Sequence, residues 1–210
     1  MMILIGVFLF SFPSLMHAGD IPFIPQAPGN VWSETHRDAC EEATVAMAMI
    51  WWHKKRPPTI REMTQLFQTM RRWQTKHFGY WKDTTIEESA RILTEFGEVP
   101  SSSIEILYDQ KNMEVIRTAV MDGNVVVFPA QGRELKNPYF KPPGPLYHHV
   151  LIWGYDEKNR MYVVHDPGTR RGAGIKYKEE VLFHAWGDWD HETKTPLKRN
   201  ALIVARPVHE

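Results

Sequence analysis

Apolar residues recur at helical spacing through most of the first half of the chain. The first such stretch begins near Cys40 and repeats at three- and four-residue intervals: Ala43, Ala46, Met47, Ile50 and Trp51. Intervals of this kind place apolar side chains on one face of an α-helix. Asp38 and Glu41 have the spacing of a capping box, and Pro57 follows closely after Lys55. The pattern therefore predicts a helix that is capped by Asp38 and ends at Lys55.

Three further helices are predicted from the same kinds of start and stop signal. Their boundaries are marked by Thr59 with Glu62, by Thr85 with Glu88 and Gly97, and by Met113 to Met121 with Gly123 behind. Threonine followed three residues later by glutamate has the form of a capping box, and glycine is the preferred residue just past a helix end. The first half of the chain is therefore predicted to be mainly helical.

The period of the pattern changes in the second half of the chain. Short runs rich in valine, isoleucine and aromatic residues are separated by Gly, Pro, Asn and Asp: NVVVFPA, HHVLIWGY, MYVVHD and ALIVARP. Such runs are typical of sheet strands and their turns. One more helix, in EEVLFHAWGDW, is predicted before the last strand. This order along the chain, with helices first and strands second, predicts an α+β domain in which helices pack on one side of a mostly antiparallel sheet.

An uncharged apolar run opens the chain, from Met1 to Met16, and is followed by the small residues Ala18 and Gly19. The run is shorter than a comfortable bilayer span, so residues 1–18 are predicted to be a signal peptide, with a single domain at residues 20–210. An uncleaved membrane anchor and a buried N-terminal helix are the alternatives. We therefore expect export to the periplasm, the cell surface or the medium, with membrane contact only through this segment if it is uncleaved.

Charge and cysteine content narrow the functional classes. The 210 residues include 25 Lys and Arg against 25 Asp and Glu, and the sequence pI is near 7.2. This balance lacks the basic footprint of a nucleic-acid binder, so no nucleic-acid partner is expected. The chain has one cysteine, which excludes an internal disulfide and leaves a reactive thiol, an intermolecular bridge or an inert buried residue.

That single cysteine, Cys40, falls in the first turn of the first predicted helix. Backbone N–H groups there lack partners and the helix dipole favours negative charge, which together would lower the pKa of a thiol. Because the thiolate is the strong nucleophile, this position suits a reactive cysteine. The alternative is a small buried core residue, the fate of most free cysteines. Glu41 and Glu42 follow directly and add negative charge that opposes a thiolate.

A nucleophilic thiol needs a base, and LYHHVLIWGYD places His148 and His149 at the start of an apolar strand. Adjacent strand residues face opposite ways, so only one of them can point at Cys40, and composition does not choose between them. The strand MYVVHD ends with Asp166, which pairing of the two strands would bring near His148. A carboxylate there would hold the imidazole in its working tautomer. Taken singly, such a histidine is more often a structural residue, and the DPG sequence at Asp166 is more often merely a turn.

Five motifs, in order along the chain, together resemble a known family of enzymes. They are IPFIPQAP, Trp32, DACEEA, NPYFKPPGPLYHHVLIWGYD and VVHDPGTRRG, and the likeness extends from about Ile21 to Trp189. The motifs are similar to those of the bacteriocin-processing, double-glycine cysteine peptidases of the papain-like superfamily. They are more similar still to the bacterial peptidase-like relatives of those enzymes. Glu41 and Glu42 depart from the processing members, which carry small residues after the cysteine.

The resemblance implies a papain-like fold and a cysteine hydrolase that cleaves a peptide or amide bond through a thioester. By it, Cys40 is the nucleophile, Asp166 orients the histidine, and Gln26 lends its side-chain amide to the oxyanion hole. The family's histidine stands six residues before a Gly-Tyr pair, which selects His148 over His149. The resemblance also implies a peptide or protein substrate and neither a metal nor an organic cofactor. The identity of the substrate and the cleavage preference stay open.

Two other functions are open at this point. A non-catalytic module on the same scaffold would bind extracytoplasmic peptide or cell-wall material without cleaving it. A metal site is the chemical rival, because HAWGDWDH sets His184, Asp188 and His191 on one face of the last predicted helix. Gly187 weakens that helix, and an amphipathic surface explains the cluster better.

Overall fold

The computed structural model describes residues 21–108, 112–196 and 199–207. The predicted signal peptide, residues 1–18, lies outside the described residues. None of the helices in the described part of the chain has the length and apolar character required to span a bilayer.

The helices come mostly from the first half of the chain. Within the described residues they are α1 (Glu34–Arg37), α2 (Cys40–Trp52), α3 (Ile60–Phe78), α4 (Ile86–Arg91), α5 (Met113–Met121) and α6 (Glu179–Ala185). A π-helical turn, Ile92–Phe96, continues α4 to Gly97, and short 3₁₀ turns lie at Pro28–Asn30 and Ser101–Ser103. The four helices predicted in the first half are therefore present.

Helix starts agree with the predicted caps at two positions and disagree at one. Thr59 and Thr85 each form the complete capping box that the sequence predicts. The predicted cap at Asp38 is wrong, because Ala39 precedes α2 and makes no side-chain cap. Asp38 instead ends α1 and lies 2.7 Å from the Lys82 ammonium group.

Most of the strands come from the second half of the chain, and six of them form one antiparallel sheet. Within the described residues the strands are β1 (Ile104–Tyr108), β2 (Val125–Gln131), β3 (Tyr147–Asp156), β4 (Met161–His165), β5 (Ile175–Lys178), β6 (Trp189–Asp190), β7 (Thr195–Pro196) and β8 (Ala201–Ala205). The order in the large sheet is β1-β8-β2-β3-β4-β5, and β6 pairs with β7 as a separate ribbon. All of these pairings are antiparallel, which confirms the α+β class.

Both faces of the large sheet are covered by helices. One face presents Val127 and Leu151 to α2, α3 and α4. The opposite face presents Val126 and Val150 to α5 and α6. The expectation of helices on one side only is therefore wrong. Because helices cover both faces, the central strands are apolar at successive positions instead of alternating.

Candidate active site

Cys40 is the first residue of α2 and points away from solvent. The residue is 5% exposed, and its Sγ–H donates to Oε2 of Glu41 at 3.0 Å. One turn further along α2, Thr44 Oγ1 donates to the backbone oxygen of His149 at 3.1 Å, which fixes the start of the helix against β3. Cys40 thus lies in the first helical turn, as predicted, beside the strand that carries both candidate histidines.

The environment of this thiol opposes ionisation. Burial raises the pKa of Cys40 well above its ordinary value, and the charge and hydrogen bond of Glu41 raise it further. The helix N-terminus therefore does not give Cys40 the lowered pKa that its position alone would favour. Desolvation and a neighbouring carboxylate outweigh the favourable end of the helix dipole.

His148 and Asp166 form a buried pair, as the strand pairing predicts. Nε2 of His148 lies 2.7 Å from Oδ1 of Asp166, and the two residues are 1% and 0% exposed. β4 pairs with β3 up to His165 opposite Leu151, and because the strands are antiparallel the next residue, Asp166, lies toward the start of β3. At Gly168 a Cβ atom would lie 2.9 Å from Cε1 of His148, so only glycine lets this loop pack on the imidazole.

The carboxylate of Asp166 is held in its charged form by four donors. Oδ1 accepts from His148 and from the backbone N–H of Gly168, and Oδ2 accepts from Asn137 Nδ2 at 2.7 Å and from the Tyr177 hydroxyl at 2.8 Å. Burial alone would raise the pKa of Asp166, but the charge of His148 and these hydrogen bonds bring it below its ordinary value. Asp166 can therefore orient the imidazole and stabilise its protonated form.

We expect Asp166 to make folding stability sensitive to acid. Because its pKa is lowered in the folded protein, its stabilisation is complete above the ordinary value of 3.8 and is lost as the pH falls through the lowered value. Asp166→Asn should lower the free energy of unfolding by about 2 kcal/mol at neutral pH. Urea unfolding at neutral and acid pH measures this difference.

The difference between wild type and Asp166→Asn should shrink as the pH drops below about 4. Asp122→Asn is the matched control, because Asp122 is an exposed carboxylate at the end of α5. A difference that stays constant from neutral to acid pH would show that Asp166 is not ionised in the folded protein.

His149 belongs to a second polar network, on the α2 side of β3. It alternates with His148 and lies on the same face as Leu151, which packs on α2. Its Nε2 is 2.7 Å from the Tyr147 hydroxyl, and that hydroxyl is 3.1 Å from Oδ1 of Asp188. Burial lowers the pKa of His149 to about 3. Although His149 faces α2, it is therefore a poor proton acceptor.

Gln26 ties the two halves of the candidate site together. Its backbone N–H donates to the carbonyl oxygen of Pro167, next to Asp166, at 3.0 Å. Its side-chain amide donates to the carbonyl oxygens of His36 at 3.0 Å and Arg37 at 2.9 Å, just before α2. Both amide hydrogens are thereby engaged, so in this arrangement Gln26 does not offer a donor to an oxyanion. It holds the segment that leads into Cys40.

Among the residues predicted to form the site, the structure brings His148 and Asp166 into direct contact. The hydrogen bond of the Cys40 thiol goes to Glu41 and not to either histidine. Gln26 connects the Asp166 loop with the segment before Cys40.

The model of the Peptidase_C39 like family matches residues 19–193. The chain belongs to this family. Six chains of solved structures also match, and one is a crystal structure described as a C39-like peptidase from Bacillus anthracis. That chain is 14% identical, the TM-score is 0.55, and the match covers 90% of this chain and 96% of the other, a likeness that shows the fold. The curated proteins contain no match to the sequence.

Membership of the C39-like family confirms the resemblance of the five motifs.

The residues of the rival metal site do not share one helix face. α6 ends at Ala185, so Asp188 and His191 do not continue its face. Asp188 is buried and accepts from Tyr147, whereas His191 contacts Tyr80. In the part of the chain that the structure describes, no three His, Cys, Asp or Glu side chains lie together in a group that could hold a metal ion.

Three residues around the candidate site were missed by sequence reasoning. Tyr147 holds His149, and Asn137 and Tyr177 hold Asp166. Tyr147 stands two residues before His149 on one strand, and this i, i+2 relation was a signal that the two share a face. Asn137 lies in the connection between β2 and β3, and Tyr177 lies on β5, so their contacts depend on tertiary packing alone.

Proposed function

We propose that the chain is a cysteine hydrolase that cleaves a peptide or amide bond through a thioester intermediate. Cys40 would be the nucleophile, His148 the base and later the acid, and Asp166 the residue that orients His148. The observation that carries the proposal is the buried His148–Asp166 pair at 2.7 Å, in a chain of the C39-like family with Cys40 at the start of α2. Gln26 links the Asp166 loop to the segment before Cys40 and supports the same arrangement.

The proposed chemistry follows from the atoms that these residues leave available. Nε2 of His148 is held by Asp166, so its other ring nitrogen, Nδ1, would be the one that takes a proton from the thiol. As the sulfur of Cys40 attacks the carbonyl carbon, its proton moves to Nδ1. His148 then gives that proton to the leaving amine while the C–N bond breaks and the thioester forms. Water attacks the thioester with His148 as base, and the proton returns to the sulfur as the acid leaves.

The oxyanion formed in each step needs donors in fixed positions. Backbone N–H groups in the first turn of α2, beginning with that of Cys40, lack helical partners and point toward the start of the helix. Such donors lower the activation barrier by about 3 to 4 kcal/mol in comparable hydrolases. Because its amide is engaged with His36 and Arg37, Gln26 would act by positioning this segment.

A neutral resting thiol suits general-base attack. Burial and Glu41 raise the pKa of Cys40, so the proton leaves sulfur during the reaction and not before it. This differs from a preformed thiolate–imidazolium pair and makes a correctly oriented base essential. The four hydrogen bonds on Asp166 fix that orientation.

The same protonated thiol is the observation that favours a second candidate function. A module that binds extracytoplasmic peptide or cell-wall material without cleaving it needs no activated cysteine, and the Cys40 thiol is engaged with Glu41. We further propose that the protein, with either function, acts outside the cytoplasm. The apolar run in residues 1–18 would serve as its signal peptide for export.

Incubation with a broad peptide library tests the two candidates against each other. We expect new peptide termini in mass spectra with untreated protein, and none after iodoacetamide has alkylated Cys40. Because Cys40 is the sole cysteine of the sequence, alkylation needs no correction for other thiols. Peptides that are retained by the protein without being cut would favour the binding module. Cleavage that persists after complete alkylation would exclude Cys40 as the nucleophile.

A further inference from the structure

Glu41 is a buried carboxyl group whose side-chain contact is the nucleophilic sulfur. It is 2% exposed, and its Oε2 lies 3.0 Å from Sγ of Cys40. Burying a carboxylate is costly unless it is paired with a cation or well hydrogen-bonded. The salt bridge from Arg71 goes to Glu42 at 3.7 Å, and Gln74 Nε2 donates to Glu42 at 2.9 Å. The two adjacent glutamates therefore have different partners, and that of Glu41 is the thiol.

We propose that Glu41 is a positioning residue for the nucleophile, which holds the thiol hydrogen of Cys40 and competes with His148 for it. The inference rests on the proposed role of Cys40 as nucleophile. The sulfur has one hydrogen to donate, so a contact with Glu41 and a proton transfer to Nδ1 of His148 exclude each other. Productive attack then requires the thiol to leave Glu41 and turn to His148.

Charged and titratable groups face Glu41 from several elements. They are Glu42 on α2, Asp83 before α4, Arg71 on α3 and Tyr147 on β3. Burial and then Glu42 raise the pKa of Glu41 to about 8. Below that pH Glu41 is mostly protonated and neutral. Above it the Glu41 carboxylate keeps the proton on the sulfur of Cys40, because the thiolate would be a second negative charge 3.0 Å away.

The rate of Cys40 alkylation by iodoacetamide against pH tests this role without any substrate. Glu41→Gln keeps the volume of the side chain but removes its charge. Above pH 8 the variant should be alkylated at least about tenfold faster than wild type, which corresponds to a fall of one unit in the thiol pKa. Well below pH 8 the two rates should converge, because Glu41 is then neutral in wild type as well. A purely structural role would not produce this pH-dependent difference.

Glu42→Gln is the matched control. It removes an adjacent buried charge whose contacts are Gln74 and Arg71. Above pH 8, where Glu41 is ionised with or without Glu42, we expect less than about a threefold change in alkylation rate. An unchanged pH profile in Glu41→Gln, or equal shifts in the two variants, would overturn the proposal. Circular dichroism checks that both variants are folded.

Wild-type protein alone gives a second test that does not depend on a variant folding. If Glu41 holds the thiol hydrogen, the alkylation midpoint of wild type lies above the ordinary cysteine value of about 8.5. A midpoint below that value would overturn the proposal. Failure of the proposed function is a separate result: without peptide cleavage but with the pH-dependent difference, Glu41 remains the partner of the thiol and only the hydrolase is lost.

Discussion

Replacing Cys40 by serine is expected to abolish peptide cleavage while the protein stays folded. Removing the nucleophile of a catalytic triad lowers turnover by about 10⁶-fold, since the remaining groups cannot form a covalent intermediate. Serine is close to cysteine in size, and its hydroxyl can donate to Glu41 where the thiol does now. We therefore expect a change in the free energy of unfolding of less than about 1 kcal/mol. Product formation by mass spectrometry and a thermal melt by circular dichroism measure the two quantities.

Cys40→Ala is the control for the hydroxyl group, because it removes both the nucleophile and the hydrogen bond to Glu41. Both variants should be inactive, and the alanine variant should be the less stable of the two because it leaves the buried Glu41 carboxyl group without its partner. Cleavage by Cys40→Ser at the wild-type rate would exclude the proposed nucleophile. Loss of folding in both variants would instead identify Cys40 as a core residue.

The helices were predictable where local rules govern their ends. Thr59 and Thr85 meet glutamates three residues on, and both capping boxes form although Glu62 also pairs with Arg56 and Glu88 also contacts His191. Asp38 and Glu41 have the same spacing, but Glu41 turns to the Cys40 thiol and Asp38 to Lys82. A capping rule cannot anticipate that outcome, since it depends on partners that are brought in by packing.

The edges of the sheet were harder to predict than its centre. β2, β3 and β8 are buried on both faces and read as continuous apolar runs. The outer strands β1 and β5 are only partly buried, so sequences such as IKYK carry too little apolar pattern to be recognised. The cover of both faces by helices was missed for a related reason. α5 lies between two strands in the sequence, and the pattern of its apolar face does not indicate on which side of the sheet it packs.

At the candidate site, strand pairing predicted the contact between His148 and Asp166, which depends on backbone register. The protonation state of Cys40 was not predictable in the same way. A sequence shows the helix N-terminus and the adjacent glutamates but not their burial, and burial is the largest cause of the raised pKa of Cys40. Opposing effects of similar size can be ranked only when the solvent exposure of each group is known.

The two histidines of β3 provide the sharpest test of which face of the strand carries catalysis. His148→Ala should lower turnover by about 10⁶-fold, because the proposed base and its pairing with Asp166 are both lost. His149→Ala should lower turnover by less than about tenfold, since the pKa of His149 is lowered to about 3 and a neutral imidazole of that kind accepts protons poorly. Peptide cleavage by both variants, assayed well below the melting temperature of the weaker one, measures the ranking.

Both variants should also lose stability, so stability is measured separately from activity. His149→Ala leaves the Tyr147 hydroxyl without one of its partners in the buried network and opens a cavity beside α2, at a cost of about 2 to 3 kcal/mol. His148→Gln is the matched control, because it keeps a side-chain donor for Asp166 but offers no imidazole, so it should stay inactive. If His149→Ala instead loses turnover while His148→Ala retains it, the base lies on the α2 side of the strand. The pair of His148 with Asp166 would then be structural.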